Sequence, residues 1–227
     1  MINSKVLFMG RYECDKSQKI AESLKELFED VTLHFFKDRF DSFPKELIDW
    51  DGNYIFSFRC PVKTPTNVLK SASNAAINFH PAPPNYRGSG SAALAIYEQA
   101  TQFGCTAHIM EKEIDTGQIL ECRRFLIQED ITLQDLWKKT NEFTYLMVMD
   151  FIDGISTHGE EFIVKKKINC VNEEWAGPLR KLKEIDCLQK ISLETSKEDL
   201  YRIIRATDVD DFKPYITLWG CKFVYTK

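Results

Sequence analysis

Three polar side chains stand out because their types and spacing suit acid–base chemistry: Asn78, His80 and Asp115. Asn78 and His80 are two residues apart at the end of a short β-type run, so they project from one face of a sheet. Pro81 stops that strand because proline cannot donate to a sheet ladder. Asp115 opens an Asp-Thr-Gly turn ahead of another predicted strand, so it also lies at a strand edge.

One reaction that such a set could assist is the attack of an amine on an acyl carbon. Such a reaction passes through a tetrahedral species, which needs a donor for its oxyanion and a route for the ammonium proton. The Asn78 amide and a protonated His80 can donate, and Asp115 can accept or orient. A neighbouring carboxylate is expected to raise the pKa of His80. None of the three is an obvious covalent nucleophile, which favours direct transfer between two bound substrates. The alternative is that Asn78 caps the following loop and His80 is a packing residue.

The elements predicted around these residues place them at a rigid edge of the predicted sheet. Residues 81–90 are a loop that three prolines stiffen and two glycines close, and Ser91 is predicted to cap a helix over residues 92–100. Strands are predicted over residues 105–110 and 118–127. A rigid loop at the carboxyl end of a strand is where open α/β sheets bind ligands.

The rest of the first 160 residues predicts the scaffold. Strand patterns over residues 5–10, 31–36 and 54–58 alternate with a helical pattern, and a long helix is predicted from about residue 132 to 158. Gly10 is the only glycine of the first βα turn, so the dinucleotide and phosphate-loop fingerprints are both absent. We therefore predict an α/β fold with a Rossmann-like open twisted sheet and helices on both faces.

A domain boundary is predicted near residue 160, separating a catalytic domain (1–160) from a C-terminal extension (161–227). Within the extension, residues 161–164 are predicted as a strand, Ser196 as the cap of a short helix, and residues 215–225 as a β-hairpin around Gly220. An isolated hairpin is marginally stable. It is therefore expected to dock on the core or on another chain, and we expect a homodimer.

Composition limits the classes of partner and the compartment that we expect for this chain. Of the 227 residues 44% are hydrophobic, including 16 Phe, which is ample for a core, and the formal charge of -4 disfavours a nucleic-acid partner. The seven cysteines form no Cys-x-x-Cys pair, which favours a reduced, cytoplasmic protein. No apolar run approaches the length of a membrane span, and four dispersed histidines argue against a metal.

The three pieces Asn78-Phe79-His80-Pro81, Arg87-Gly88 and Asp115-Thr116-Gly117 together resemble the signature of the formyltransferase family. In that family an Asn, a His and an Asp in this order move a formyl group from 10-formyltetrahydrofolate to an amine. The resemblance covers roughly residues 50–150, and a weaker similarity is present at residues 203–206. The family often has Ser-Leu-Leu-Pro after the His, whereas residues 81–84 here are Pro-Ala-Pro-Pro, a departure on the acceptor side.

The resemblance implies two binding regions beside the catalytic residues. 10-Formyltetrahydrofolate is the expected cosubstrate, and the residues expected to bind it are Arg59, Cys60, Pro61, Val62 and Gly117. The residues expected to bind the acceptor are Pro81, Tyr86, Arg87, Gly88 and Arg205. Arg87 is the first candidate for a phosphate contact because its loop directly follows His80. The alternative is that its guanidinium holds the loop through backbone carbonyls.

The acceptor that this resemblance favours is a nucleotide-linked amino deoxysugar, such as dTDP-4-amino-4,6-dideoxyglucose, used in O-antigen and lipopolysaccharide synthesis. Glycinamide ribonucleotide formyltransferases usually carry a glycine-rich first turn, which this chain lacks. Methionyl-tRNA formyltransferases continue into a further C-terminal domain, and formyltetrahydrofolate hydrolases usually carry a regulatory domain ahead of the catalytic one. These three activities remain the alternatives.

Overall fold

The computed structural model describes residues 2–226, and its central layer is a six-stranded sheet in the order β2-β1-β3-β4-β5-β6. The first four strands of that order are parallel, whereas β5 pairs antiparallel with β4 and β6 pairs antiparallel with β5. The strand bounds are β1 Ile2–Arg11, β2 Phe28–Phe36, β3 Gly52–Phe58, β4 Ala72–His80, β5 Gln102–Ile109 and β6 Ile119–Leu126. Because β1, β3 and β4 are parallel neighbours, their carboxyl ends form one edge, where open sheets bind ligands.

Seven helices and a separate two-stranded hairpin complete the described residues. The helices are α1 Asp15–Leu27, α2 Thr66–Lys70, α3 Ser91–Tyr97, α4 Leu133–His158, α5 Glu160–Asn169, α6 Leu182–Gln189 and α7 Lys197–Thr207. Single 3-10 turns lie at Lys45–Leu47 and Asp210–Phe212, and the hairpin strands are β7 Tyr215–Leu218 and β8 Cys221–Val224. The predicted hairpin is confirmed.

Strand alternation sends apolar side chains to both faces of the sheet, and each face is covered. Phe8, Phe56 and Phe79 pack with Phe151 of α4 on one face. On the other face, a smaller cluster combines strand residues with side chains from α2 and the first 3-10 turn: Leu7, Met9, Phe36, Leu47, Trp50, Ile55, Val68 and Ala76. Burial on both faces is typical of parallel sheets. The predicted Rossmann-like α/β fold is confirmed.

The long helix α4 confirms the periodicity prediction almost to the residue. Thr132 caps it by accepting a hydrogen bond from the Asp135 backbone N–H at 3.1 Å. Its buried face includes Leu136, Thr144 and Met147, which pack toward the sheet and α3. The helix is therefore scaffold beneath β4 and β5.

The strand predicted over residues 161–164 is wrong, because these residues lie in α5. A short apolar run does not distinguish strand from helix by itself. Here Glu160 and Glu161 lie in the first helical turn, where negative charge is favourable, and Ile163 is buried in the main core. Helix α5 packs on β6 and α4, directly after the predicted boundary. The division at residue 160 stays a prediction.

The helix after the proline loop also differs from its prediction. Gly90, at φ 76°, occupies the cap position of α3, and Ser91 is the first helical residue instead of the cap. The Ser91 hydroxyl donates to the backbone carbonyls of Tyr86 and Gly88 at 3.0 and 3.2 Å. It therefore fixes the loop from the inside, and the helix ends at Tyr97, three residues earlier than predicted.

The C-terminal helix α7 is attached to α3 and to the connection that follows β6. Ser196 caps it through the Asp199 backbone N–H at 3.1 Å, as predicted. The Arg205 guanidinium donates to the carbonyl of Ile96 at 3.1 Å and to that of Glu129. None of the helices within residues 2–226 is long and apolar enough to cross a membrane.

Candidate active site

The pairing of β4 with β5 brings polar side chains together at the end of β4. In this antiparallel register Asn78 lies opposite His108, and His80 lies opposite Thr106. The Asn78 amide nitrogen is 3.1 Å from Nε2 of His108. His108 is thus a site residue that the sequence analysis missed, because only the strand pairing shows that it faces Asn78.

The Asp115 carboxylate lies between two imidazole rings. Its Oδ2 is 3.5 Å from Nδ1 of His80, and its Oδ1 is 3.3 Å from Nε2 of His108. The backbone N–H of Gly88 donates to Oδ2 at 2.7 Å, so the proline loop also holds the carboxylate. Asp115 has φ 51°, a conformation uncommon for a residue other than glycine, which is typical of functional sites. The structure thus brings the three predicted catalytic residues together.

Backbone carbonyls fix which ring nitrogens carry protons. Nε2 of His80 is 2.9 Å from the carbonyl of Tyr86, and Nδ1 of His108 is 2.8 Å from the carbonyl of Ile109. A carbonyl oxygen only accepts, so each of these nitrogens must donate. In each neutral ring the basic nitrogen is therefore the one that faces Asp115.

Burial and neighbouring charge have opposite effects on the pKa values of His80 and Asp115. Burial lowers the pKa of His80, and the opposing effects of Asp115 and the Tyr86 carbonyl do not offset it. The expectation of a raised pKa for His80 is therefore wrong, since its ring is almost fully buried and desolvation disfavours the imidazolium. Burial raises the pKa of Asp115, but His80, His108 and the Gly88 N–H outweigh it and lower that pKa to about 2.

A cavity of about 550 Å³ opens on these residues at the carboxyl edge of the sheet. Its size lies in the usual range for small-molecule sites. The sequence-predicted residues that line it are Arg59, Cys60, Pro61, Val62, Asn78, His80, Pro81, Gly88 and Asp115. Burial raises the pKa of the Cys60 thiol to about 11, so this thiol is neutral and packs as an apolar group in the wall.

Four predicted binding residues do not line the cavity, although three of them support its walls. Tyr86 holds His80 through its carbonyl and bonds Glu98 through its hydroxyl at 2.9 Å. The Arg87 guanidinium donates to the carbonyl of Ile114 at 3.4 Å, which matches the loop-holding alternative. Gly117 packs so closely on β5 that a Cβ there would lie 1.9 Å from the Ile109 oxygen. The structure does not bring Arg205 to the cavity, because its guanidinium joins α7 to α3.

Sequence reasoning missed the cations that line the cavity from segments other than the loop of residues 59–63. Arg39, Lys63 and Lys181 line it and form no ion pair with the described residues. Arg180 also lines it, but Glu98 and Glu184 hold its guanidinium. Residues 179–182 form a wall of the cavity, although they follow Asp115 by more than sixty positions. Within residues 2–226 no cluster of His, Cys, Asp or Glu could hold a metal ion.

Residues 63–152 match a family model described as Formyl transferase. This segment holds Asn78, His80, His108 and Asp115 with the strands that position them. The predicted family resemblance is therefore confirmed over residues 63–152.

Relatives with known names extend the comparison beyond that segment. Methionyl-tRNA formyltransferase of Lactobacillus delbrueckii subsp. bulgaricus is 27% identical over 166 residues, which are 73% of this chain and 50% of the relative. GDP-perosamine N-formyltransferase of Brucella melitensis is 32% identical over 92 residues, which are 40% of this chain and 36% of the relative. The chain thus spans half or less of the length of these relatives.

A solved structure shows the same fold over nearly the whole chain. The N-formyltransferase of Helicobacter canadensis, in complex with folinic acid and dTDP-3-aminofucose, superposes with a TM-score of 0.69. The match covers 97% of this chain and 85% of that one, at 18% sequence identity. At this identity the likeness establishes the fold.

Proposed function

We propose that this protein transfers a formyl group from 10-formyltetrahydrofolate to the amino group of a nucleotide-linked amino sugar. One observation carries the proposal: Asn78, His80 and Asp115 converge on the wall of one cavity within the formyl transferase segment. These groups supply a hydrogen-bond donor, a base and a counter-charge, which are the requirements for amine attack on an acyl carbon.

His80 is the group that accepts the proton of the attacking amine. Its Nε2 already donates to the Tyr86 carbonyl, so Nδ1 is the basic position left on the ring. Because burial lowers the pKa of His80, the ring is neutral near pH 7 and ready to accept. The imidazolium that forms faces the Asp115 carboxylate, 3.5 Å away, which stabilises it. Asp115 stays ionised throughout.

Asn78 is the donor for the developing oxyanion. Its amide nitrogen carries two hydrogens, and His108 engages one of them in its neutral form. The other points to no described partner and is available to the cavity. A donor held by a second side chain is preorganised, and preorganised donors contribute most to oxyanion stabilisation.

The residues present fit a folate on one side of the cavity. The loop from Arg59 to Lys63 and the side chain of Arg39 line that side and offer cations to a carboxylate-bearing tail. Neutral Cys60 and the neighbouring Pro61 and Val62 give it an apolar wall suited to a flat ring. When bound there, the folate supplies the activated formyl group, and the protein contributes position, charge and proton acceptance.

The identity of the molecule that accepts the formyl group rests on fewer observations than the folate. Support for an amino sugar comes from the GDP-perosamine enzyme and from the Helicobacter canadensis structure with dTDP-3-aminofucose. Unpaired Lys181 lines the cavity and can meet a diphosphate. The longer match to methionyl-tRNA formyltransferases keeps a charged tRNA as the second candidate. With a sugar acceptor, the reaction belongs to cytoplasmic synthesis of O-antigen or another surface glycan.

The test is a product assay with a panel of acceptors. The protein is incubated with 10-formyltetrahydrofolate and dTDP-, GDP- and UDP-linked 3-amino or 4-amino sugars, and each acceptor is examined for the mass gain of one carbonyl group. Methionyl-tRNA, glycinamide ribonucleotide and acceptor-free buffer run in parallel, the last to measure formate release. Transfer to a sugar supports the proposal. Transfer to tRNA or glycinamide ribonucleotide alone, or formate alone, would replace it.

We also propose that the hairpin β7–β8 is a contact between two copies of the chain. Trp219 at its turn is 96% exposed, and Phe223 and Val224 on β8 are 54% and 46% exposed. Large apolar side chains grouped on a small element usually mark an interaction site. A second copy is the simplest partner, because it offers the same apolar residues in return.

A further inference from the structure

Residues 173–181 form an extended segment, here called the strap, that crosses the outside of the site and leads into α6. Its backbone is bonded to the proline loop at several points. The Ala176 N–H donates to the Pro84 carbonyl at 3.1 Å, and the Arg180 N–H donates to the Arg87 carbonyl at 2.9 Å. The Ser89 N–H returns a bond to the Arg180 carbonyl at 3.1 Å. The strap therefore lies along the loop that holds both His80 and Asp115.

Ion pairs hold the strap at both ends. At its start, Glu173 forms a bidentate ion pair with Arg124 of β6, with N–O distances of 2.6 and 2.7 Å. Near its end, Arg180 bonds Glu184 at 3.0 Å and also pairs with Glu98. Backbone and side-chain bonds together fix the position of the residue between these anchors, Trp175.

The indole of Trp175 packs against both imidazoles of the site. Its ring lies edge-on to His108, with centroids 4.9 Å apart and an interplanar angle of 89°, and 6.0 Å from the ring of His80. Its Nε1–H donates to the Gly117 carbonyl at 2.7 Å, which fixes the ring in the turn after Asp115. Trp175 does not line the cavity, so it covers the two imidazoles from another side.

We propose that Trp175 is a positioning residue that holds both imidazoles against Asp115 and keeps bulk water from their covered side, so that the formyl group passes to the amine instead of to water. This inference rests on the proposed function. In the competing reaction a water oxygen attacks the formyl carbon, the carbon–nitrogen bond to the folate breaks, and the folate nitrogen takes up a proton. The products are formate and tetrahydrofolate, without any oxidant or reductant.

The physical reason is that the site needs a base without a supply of water. His80 and Asp115 activate whichever nucleophile reaches them, and a water molecule is smaller than any amine acceptor. Once both substrates fill the cavity, the remaining path to the imidazoles is the side that the indole covers. An aromatic ring with an anchored N–H fills this space in one orientation. A smaller side chain leaves room for water beside the pair.

The experiment compares Trp175→Phe and Trp175→Leu with the same substitutions at Trp137. Trp137 lies on α4 against Phe212 and does not line the cavity, so its variants control for loss of an indole. Formylated acceptor and free formate are measured in the same reaction. We expect Trp175→Leu to raise the ratio of formate to formylated acceptor by about tenfold or more. Trp175→Phe keeps the bulk but loses the bond to Gly117, and a smaller rise is expected.

A second measurement separates this inference from the proposed function. The ring protons of His80, assigned with His80→Asn, are titrated by NMR in the wild type and in both Trp175 variants. Opening the covered side reduces desolvation, so the midpoint of His80 should rise toward its ordinary value of 6.5. Circular dichroism and thermal melting confirm that each variant is folded.

The outcomes are distinct. If the wild type transfers no formyl group to any acceptor, the proposed function fails, and the NMR midpoint alone judges the role of Trp175. If the wild type transfers and folded Trp175 variants keep both the product ratio and the His80 midpoint, the inference is wrong. An equal change in the Trp137 variants would also overturn it, because the effect would then be a general loss of packing. Should Trp175→Leu fail to fold, Trp175→Phe decides by the same two measurements.

Discussion

The catalytic wall and the strap bound the same site, but they are held by different forces. In the catalytic wall, Asn78, His80, His108 and Asp115 bond mainly to one another and to backbone groups, and both histidines and the carboxylate are at least 95% buried. The strap is held by backbone bonds and by ion pairs whose side chains remain partly exposed, such as Arg124 with Glu173. The wall is therefore a buried network, and the strap is a surface attachment.

This difference predicts where substitutions have large effects. Removing one member of a buried polar network leaves its partners unsatisfied at a cost of about 1–3 kcal/mol, besides any loss of chemistry. An exposed ion pair contributes about 0–1 kcal/mol, so the strap should tolerate charge changes with little loss of stability.

The largest effect is expected for Asp115→Asn and His80→Asn. The first removes the counter-charge that stabilises the imidazolium, and the second removes the base. Each should lower kcat by about 10³-fold or more, because transfer then lacks either the proton acceptor or the charge that stabilises its protonated form. Steady-state kinetics of formyl transfer measure the loss, and Asp130→Asn on an exposed loop is the control. If either variant kept more than about a tenth of wild-type kcat, the assignment of the proton path would be wrong.

A smaller loss is expected for Asn78→Ala. The substitution removes the oxyanion donor, so kcat should fall by about 10² to 10³-fold while the Michaelis constants change little. It also removes the partner of Nε2 of His108, so part of the loss is indirect. A second variant, Asn78→Asp, keeps the size of the side chain and removes both N–H donors. Activity near the wild-type level in Asn78→Asp would show that Asn78 is not the donor.

Part of the site could be read from sequence because its geometry is local. Asn78 and His80 are two residues apart on one strand, and a Pro at position 81 marks the strand end, so their shared face follows from the period of a strand. His108 and Trp175 could not be found in this way. His108 requires the β4–β5 register, and Trp175 requires a contact between residues 58 positions apart, from its indole to the Gly117 carbonyl.

The errors in the fold prediction also arise where contacts between residues distant in sequence decide the structure. The β-α-β opening, the long helix α4 and the hairpin were recovered because their periodicity is long or their turn signal is strong. Residues 161–164 were mistaken for a strand because four apolar-rich positions fit both periods, and packing on α4 and β6 decides for the helix. The pKa of His80 was predicted in the wrong direction because sequence shows a neighbouring charge but not burial.

The direction of the pKa shift of His80 gives a pH prediction. A neutral His80 is required to accept the proton, and its pKa is lowered by burial, so the acid limb of the activity profile should lie below pH 6.5. The stability of the folded protein should also fall on acidification. The unfolded chain binds more protons than the native one just below pH 6.5, so the melting temperature should fall on acidification. Asp115, with its pKa lowered to about 2, adds to this loss only once the pH falls below its ordinary 3.8.

An acid limb above pH 6.5, or a melting temperature that rises on acidification from about pH 7 to 5, would contradict the buried neutral state of His80. Differential scanning calorimetry on the wild type and on His80→Asn isolates the contribution of this ring. The variant should lose part of the pH dependence and keep the remainder, which belongs to the carboxylates.

A tenfold effect is expected at the strap end of the cavity. Lys181 lines the cavity without an ion partner, whereas Arg87 donates to the Ile114 carbonyl and does not line it. Lys181→Ala should raise the Michaelis constant for the sugar nucleotide by about tenfold and leave that for formyltetrahydrofolate nearly unchanged, since a charged hydrogen bond contributes roughly 1.5–3 kcal/mol. Arg87→Ala should instead lower the melting temperature. The reverse pattern would return the phosphate contact to Arg87.

The smallest effect on catalysis is expected at the hairpin, which lies outside both the catalytic wall and the strap. The proposed contact between two copies would bury Trp219 and Phe223, which are 96% and 54% exposed in the single chain. Trp219→Ser should therefore weaken self-association while kcat per chain changes by less than about twofold, because no hairpin residue lines the cavity.

Sedimentation equilibrium over a range of concentrations measures this association directly, and Leu193→Ser is the matched control. Leu193 is 78% exposed but lies outside the hairpin, in the connection between α6 and α7, so its loss should leave association unchanged. A wild type that stays monomeric at the highest concentrations would overturn the proposed contact. A dimer that Trp219→Ser leaves intact would assign the interface to another surface. A dimer that dissociates with a large loss of kcat would instead mean that a partner chain supports the cavity.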